Sequence, residues 1–259
     1  TLSLHDALPI FLSLADSAGI TISGYGSTIK VKSGACTNPA WDGKPFSESH
    51  ACTHNIFAYG GGYNGAVDTP RTVIQGLTLD GNRQGNAGNG TNWQNYESQH
   101  TDSLYVSGAT FYPAGSYGIG RVAVAVQDVN TKNSPGDGIS IHVKVDLIAW
   151  HMTSVDDFRG GLVATGGDSK MRVNDWTITS TDATKKAGID FEIDGAGGVN
   201  GRSLPIRAFT DFLVENLTLD GDLDVGGNLA KGFLTSLAIA PVLLDRRLGS
   251  NDDIDRHQQ

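Results

Sequence analysis

TVIQGLTLDGN (72–82), VAVQDVNTKNS (124–134), DLIAWHMTS (146–154), MRVNDWTITS (171–180) and FLVENLTLDGD (212–222) share one grammar: apolar and small polar residues alternate, and the run closes on Asn, Asp, Ser or Gly. A period of two is the signature of a strand. Setting Ile74, Val126, Leu147, Val173 and Val214 as equivalent gives intervals of 52, 21, 26 and 41 residues, so the first and last gaps each have room for two coils. A second short strand follows most anchors: GDGISI (136–141), RGGLVA (159–164), AGIDFEI (187–193) and KGFLTS (231–236). A repeat of roughly twenty to thirty residues that cannot close a core alone, but stacks on its copies, predicts an all-β solenoid.

Composition agrees. Gly supplies 34 of 259 residues and charged residues only 18%, which suits many tight turns and strands stacked in register. No amphipathic helix of the length a parallel α/β fold needs fits between 120 and 195.

Residues 1–10, TLSLHDALPI, match the translation of one frame of a short-read library adapter and are expected to lie outside the natural chain. The solenoid is assigned to 11–236, with an excursion over 82–118. The stretch 237–259 drops the grammar and is expected to be a capping helix with a disordered tail, or an artefactual end.

No apolar run approaches membrane-spanning length. A net charge of −9 argues against nucleic acid as a partner. It also disfavours a polyuronate unless Ca²⁺ bridges the two; a neutral glycan meets no such repulsion. Cys36 and Cys52 close one loop, which favours a disulfide worth about 3 kcal/mol and an extracellular or periplasmic location. Two free thiols, or a metal site using Cys36, His50, Cys52 and His54, remain the alternatives.

IQGLTLDGNR (74–83), NSPGDGISI (133–141), DDFRGGLVATGG (156–167) and AGIDFEID (187–194) resemble the right-handed parallel β-helix proteins of the pectate-lyase-like superfamily, over about residues 70–225. The resemblance implies a carbohydrate ligand. The reaction stays open among inverting hydrolysis, Ca²⁺-dependent lysis and non-catalytic binding of the phage-tail kind. In polygalacturonase-like hydrolases an Asp-Gly-aromatic-Asp segment precedes an Asp-Asp pair by about one coil. Asp137-Gly138-Ile139-Ser140 matches the first element without its last Asp, and Asp156-Asp157 matches the pair. The Gly-His-Gly and Arg-x-Lys elements are absent, as is the Asp-Pro-His-Glu tetrad of the epimerases.

On the hydrolase expectation Asp137, Asp156 and Asp157 supply acid and base with no cofactor, Asp157 standing at an exposed turn. On the lyase expectation Arg159 is the base. Asp before Gly is also an ordinary turn residue, and an Arg near an Asp an ordinary ion pair. Trp93, Tyr96, Tyr112 and Tyr117 in the excursion are candidates for stacking on sugar rings. His142, Asp190 and Glu192 are candidates for bonding sugar hydroxyls, the two acids alternating with Phe191 on a face that must be exposed.

Overall fold

A computed structural model describes residues 12–13, 19–33, 56–59, 71–86, 102–108, 121–142, 144–165, 169–181, 188–192, 211–219, 223–224 and 237–244. In chain order the strands are β1 (Leu12–Ser13), β2 (Thr21–Lys30), β3 (Ile56–Tyr59), β4 (Thr72–Asp80), β5 (Leu104–Ser107), β6 (Val122–Gln127), β7 (Asn130–Lys132) and β8 (Asp137–Ile141). Then follow β9 (Val145–Val155), β10 (Gly160–Thr165), β11 (Lys170–Thr179), β12 (Ile189–Glu192), β13 (Asp211–Leu219), β14 (Leu223–Asp224) and β15 (Leu237–Leu244). One short helix, α1 (Arg83–Asn86), is the only helical element among the described residues. The chain is all-β.

The strands form two parallel sheets. The first runs β1-β3-β5-β8-β10-β12-β14 and the second β15-β13-β11-β9-β6-β4-β2, with β7 beside β4 and β9. Successive strands therefore alternate between the sheets, β6 and β7 sharing one passage. A parallel pair needs a crossover, and here each sheet's crossover is a strand of the other.

The core lies between the sheets. Leu104, Ile139, Leu162 and Ile189 stand in register across the first sheet, each with 0% exposure. In the second, Ile74, Val126, Ala149, Val173 and Val214 form the facing column. Leu147, expected in that column, pairs instead with Val124 and Met171. A slip of two residues keeps a side chain on its face, so Leu147 is buried all the same. Neither long gap inserts a further strand into the second sheet, because β4 pairs directly with β6 and β11 directly with β13.

Second-sheet strands bend at one residue in the left-handed region: Gly76 (φ 69°), Asp128 (51°), His151 (53°), Asp175 (60°) and Asn216 (51°), stacked coil on coil. Between β6 and β7 the same bend interrupts the strand. A further stack at Asn82 (49°), Asn133 (53°) and Asp156 (57°) closes the coils. Gly, Asn and Asp tolerate this conformation best, which is why they punctuate the repeats.

Two expectations change. Residues 237–244 are no helix or tail but β15, paired with β13 from Phe212↔Leu237 to Leu219↔Leu244. Within 82–118, β5 is a rung of the first sheet, between β3 and β8. Residues 1–10, KGFLTS (231–236) and 245–259 lie outside the described residues, as do Cys36, Cys52, His50 and His54.

Candidate functional site

The charged side chains collect where first-sheet strands begin. Asp102 precedes β5, Asp137 opens β8 and Arg159 precedes β10, so neighbouring coils bring them together. The backbone N–H of Asp137 donates to Asp102 Oδ1 at 2.8 Å, and Ser103 N–H donates to the Asp137 carbonyl at 3.0 Å. Arg159 Nε stands 3.8 Å from Asp137 Oδ2, and its Nη2 4.0 Å from Asp190 Oδ2. Asp190 lies one coil further on, in register with Val163. Arg159 (14% side-chain exposure) and Asp190 (18%) form the more open lip, while Asp137 and Asp102 are buried below.

Burial pushes the Asp102 carboxyl up, from 3.8 to about 7, against the opposing pull of the Asp137 N–H, the Arg159 charge and a Ser140 hydrogen bond. Ser140 Oγ also lies 2.9 Å from His142 Nε2. The His142 ring stacks on Tyr105, centroids 4.5 Å apart and planes at 30°. A buried carboxyl thus connects through one hydroxyl to a half-buried imidazole, a path along which a proton can pass to the surface. Arg159, flanked by two carboxylates, is held as a cation, suited to steadying negative charge rather than removing a proton.

Asp156 stands apart from this cluster, while Asp157 lies close enough for its charge to push the Asp102 carboxyl up. Asp156 caps the coil-closing turn, its carboxylate accepting from Thr181 N–H at 2.5 Å and from the Thr181 hydroxyl at 2.9 and 3.0 Å. Asp157 is not at an exposed turn: it is 2% exposed. Its Oδ2 accepts from the Thr131 hydroxyl at 2.6 Å and its Oδ1 from Ser134 N–H at 2.9 Å. The two neighbours face opposite ways because the left-handed φ of Asp156 turns the chain between them.

Gly138 is explained by packing. A Cβ there would meet Thr131 Oγ1 and stand 2.6 Å from Asp157 Oδ2 and 2.8 Å from the Gly161 carbonyl. Gly138→Ala is expected to cost about 1–3 kcal/mol, read as a lowered denaturation midpoint.

Among the proposed sugar-binding residues, His142 and Asp190 fall in the cluster. Glu192 lies on β12, opposite Thr165. Trp93, Tyr96, Tyr112 and Tyr117 lie outside the described residues, as does Asp194. Asp102 was not anticipated, although Asp102-Ser-Leu-Tyr-Val repeats the pattern of Asp137-Gly-Ile-Ser-Ile. Among the described residues no group of three or more His, Cys, Asp or Glu side chains is arranged to hold a metal ion. Comparison with protein-family models, curated proteins and solved structures gives no match.

Proposed function

We propose that the chain is a right-handed parallel β-helix that hydrolyses a polysaccharide on the outer side of its first sheet. Parallel strands that alternate between two sheets in sequence order support the solenoid, and right-handed crossovers are the rule for such connections. The observation that carries the reaction is geometric: the buried Asp102 carboxyl accepts the Asp137 N–H, and Arg159 stands between that pair and Asp190, with burial pushing Asp102 up to about 7.

Hydrolysis of a glycosidic bond needs a proton on the leaving oxygen and a carboxylate to activate water or attack the sugar. Asp102, itself buried, takes the acid role by delivering its proton outward through Ser140 and the half-buried His142, and is recharged by the same path. Asp137 takes the carboxylate role, with the Arg159 guanidinium 3.8 Å away to balance its charge. Asp190 and His142, the more accessible groups, hold sugar hydroxyls.

The test is a polysaccharide panel assayed both for new reducing ends and for unsaturated-uronate absorbance. Reducing ends without unsaturation are expected; unsaturated products would replace hydrolysis with β-elimination. The acid must keep its proton, so activity should fall as pH rises through about 7. A rate that climbs steadily into alkaline pH would remove Asp102 from the acid role.

A further inference from the structure

The second sheet carries an aromatic feature that the first-sheet cluster does not use. Ser23 pairs with Gln75 and Ser27 with Leu77, so Gly24, Tyr25 and Gly26 of β2 stand opposite the single residue Gly76 of β4. Two extra residues on one strand make a bulge, a device that re-aims a side chain. Here it lays the Tyr25 ring back over the sheet. A Cβ on Gly76 would stand 2.5, 2.7 and 2.7 Å from Tyr25 Cγ, Cδ1 and Cδ2, so these three adjacent ring carbons rest against the Gly76 backbone. The Tyr25 hydroxyl, one coil further along, donates to Asp128 Oδ2 at 2.8 Å.

The ring is thus pinned at both ends and yet 62% exposed. A tyrosine clamped flat with its face in water is already ordered for stacking, so binding costs it little conformational freedom. From its hydroxyl end a polar row continues along the bends. His151 Nδ1 lies 3.3 Å from Asp128 Oδ1, and His151 Nε2 lies 3.5 Å from Asp175 Oδ2. The His151 and Asp175 side chains are 58% and 60% exposed. Asp128, His151 and Asp175 are each one coil apart, about 4.8 Å, and Tyr25 spans the intervening coil at Gly76 to reach Asp128.

We infer that the row from Tyr25 through Asp128 and His151 to Asp175 is a second carbohydrate-binding strip, taking a neutral polysaccharide laid along the stack of coils. Tyr25 lies under the face of one sugar, and the Asp, His and Asp bond hydroxyls of the units beyond it. Two carboxylates to one imidazole, on a chain of net charge −9, repel polyuronates and nucleic acids. Tyr25 and Val155 are the only exposed large hydrophobic side chains among the described residues. The strip lies on the other sheet from the Asp102 cluster and stands whether or not the chain is a hydrolase.

Affinity electrophoresis of the full chain in native gels tests it, with mixed-linkage β-glucan, xyloglucan or galactomannan as neutral probes and polygalacturonate as the anionic one. At least one neutral glycan should retard the protein. Tyr25→Ala should weaken that retardation about tenfold or more, as truncation of an aromatic anchor does. His151→Ala, at an exposed position, should weaken it independently, and it decides the matter if Tyr25→Ala fails to fold. Asp156→Ala, at a turn belonging to neither site, should leave retardation unchanged. The inference is overturned if no neutral glycan retards the protein or if polygalacturonate alone does. It is overturned equally if folded Tyr25→Ala and His151→Ala bind as before.

Discussion

Asp102→Asn should abolish polysaccharide hydrolysis and, in the same protein, raise the stability of the fold. The loss follows from removing the proton donor, a group whose contribution is about 10²–10⁴-fold in rate. The gain follows from burial. The native carboxyl keeps its proton up to about pH 7, whereas an unfolded one releases it near 3.8. Between those values the native state binds more protons, so wild-type stability falls as pH rises. An amide stays neutral and its stability does not follow that slope. The gap should open above pH 4, widen to pH 7 and then hold, reaching at most a few kcal/mol. Asn keeps an oxygen for the Asp137 N–H and offers its amino group to Ser140, so no buried partner is abandoned. Denaturant midpoints at pH 5 and pH 8, taken with reducing-end assays, check both halves. A midpoint that drops equally at both pH values would make Asp102 a structural carboxylate, and an unchanged rate would end its catalytic assignment.

How much was legible in the sequence depends on which physical signal each residue carries. Alternation with period two is imposed by the pleat, so the segments around Ile74, Val126, Val173 and Val214 announced strands and facing columns. Register is a weaker signal: Leu147 and Ala149 are both apolar and both face inward, and only the hydrogen-bonded ladder selects Ala149. Gap length says little about coil number, since a coil can carry a long excursion without losing its rung. For that reason β5 lay hidden inside 82–118, and Asp102 with it. Asp137, Arg159, His142 and Asp190 were legible as polar residues placed beside first-sheet strands. That Asp156 and Asp157 part was not legible, because a left-handed residue between strands sends its neighbour inward and adjacency in sequence does not show it.

That inward turn makes Asp157 the residue whose loss should cost the fold most. Trp176 Nε1 donates to Ser154 Oγ at 3.1 Å, Ser154 and Thr131 share a hydrogen bond of 2.7 Å, and Thr131 donates to Asp157 Oδ2 at 2.6 Å. A carboxylate can only accept. With the Thr131 proton committed to Asp157, Ser154 must donate to Thr131 and accept from Trp176, so one anion orients a chain of donors across three coils. Its other oxygen holds Ser134 N–H at the corner where β7 leads toward β8. Asp157→Ala strips acceptors from two buried donors and is expected to cost about 2–5 kcal/mol. Asp156→Ala, which loses only an exposed cap on Thr181, should cost about 1 kcal/mol. The Asp157 charge also adds to the upward push on Asp102. The part of Asp157→Ala that remains folded should therefore lose activity at a lower pH than wild type. Equal midpoints for the two variants would show that the buried chain does not depend on its anion. An unshifted pH profile in folded Asp157→Ala would show that Asp102 owes its raised value to burial alone.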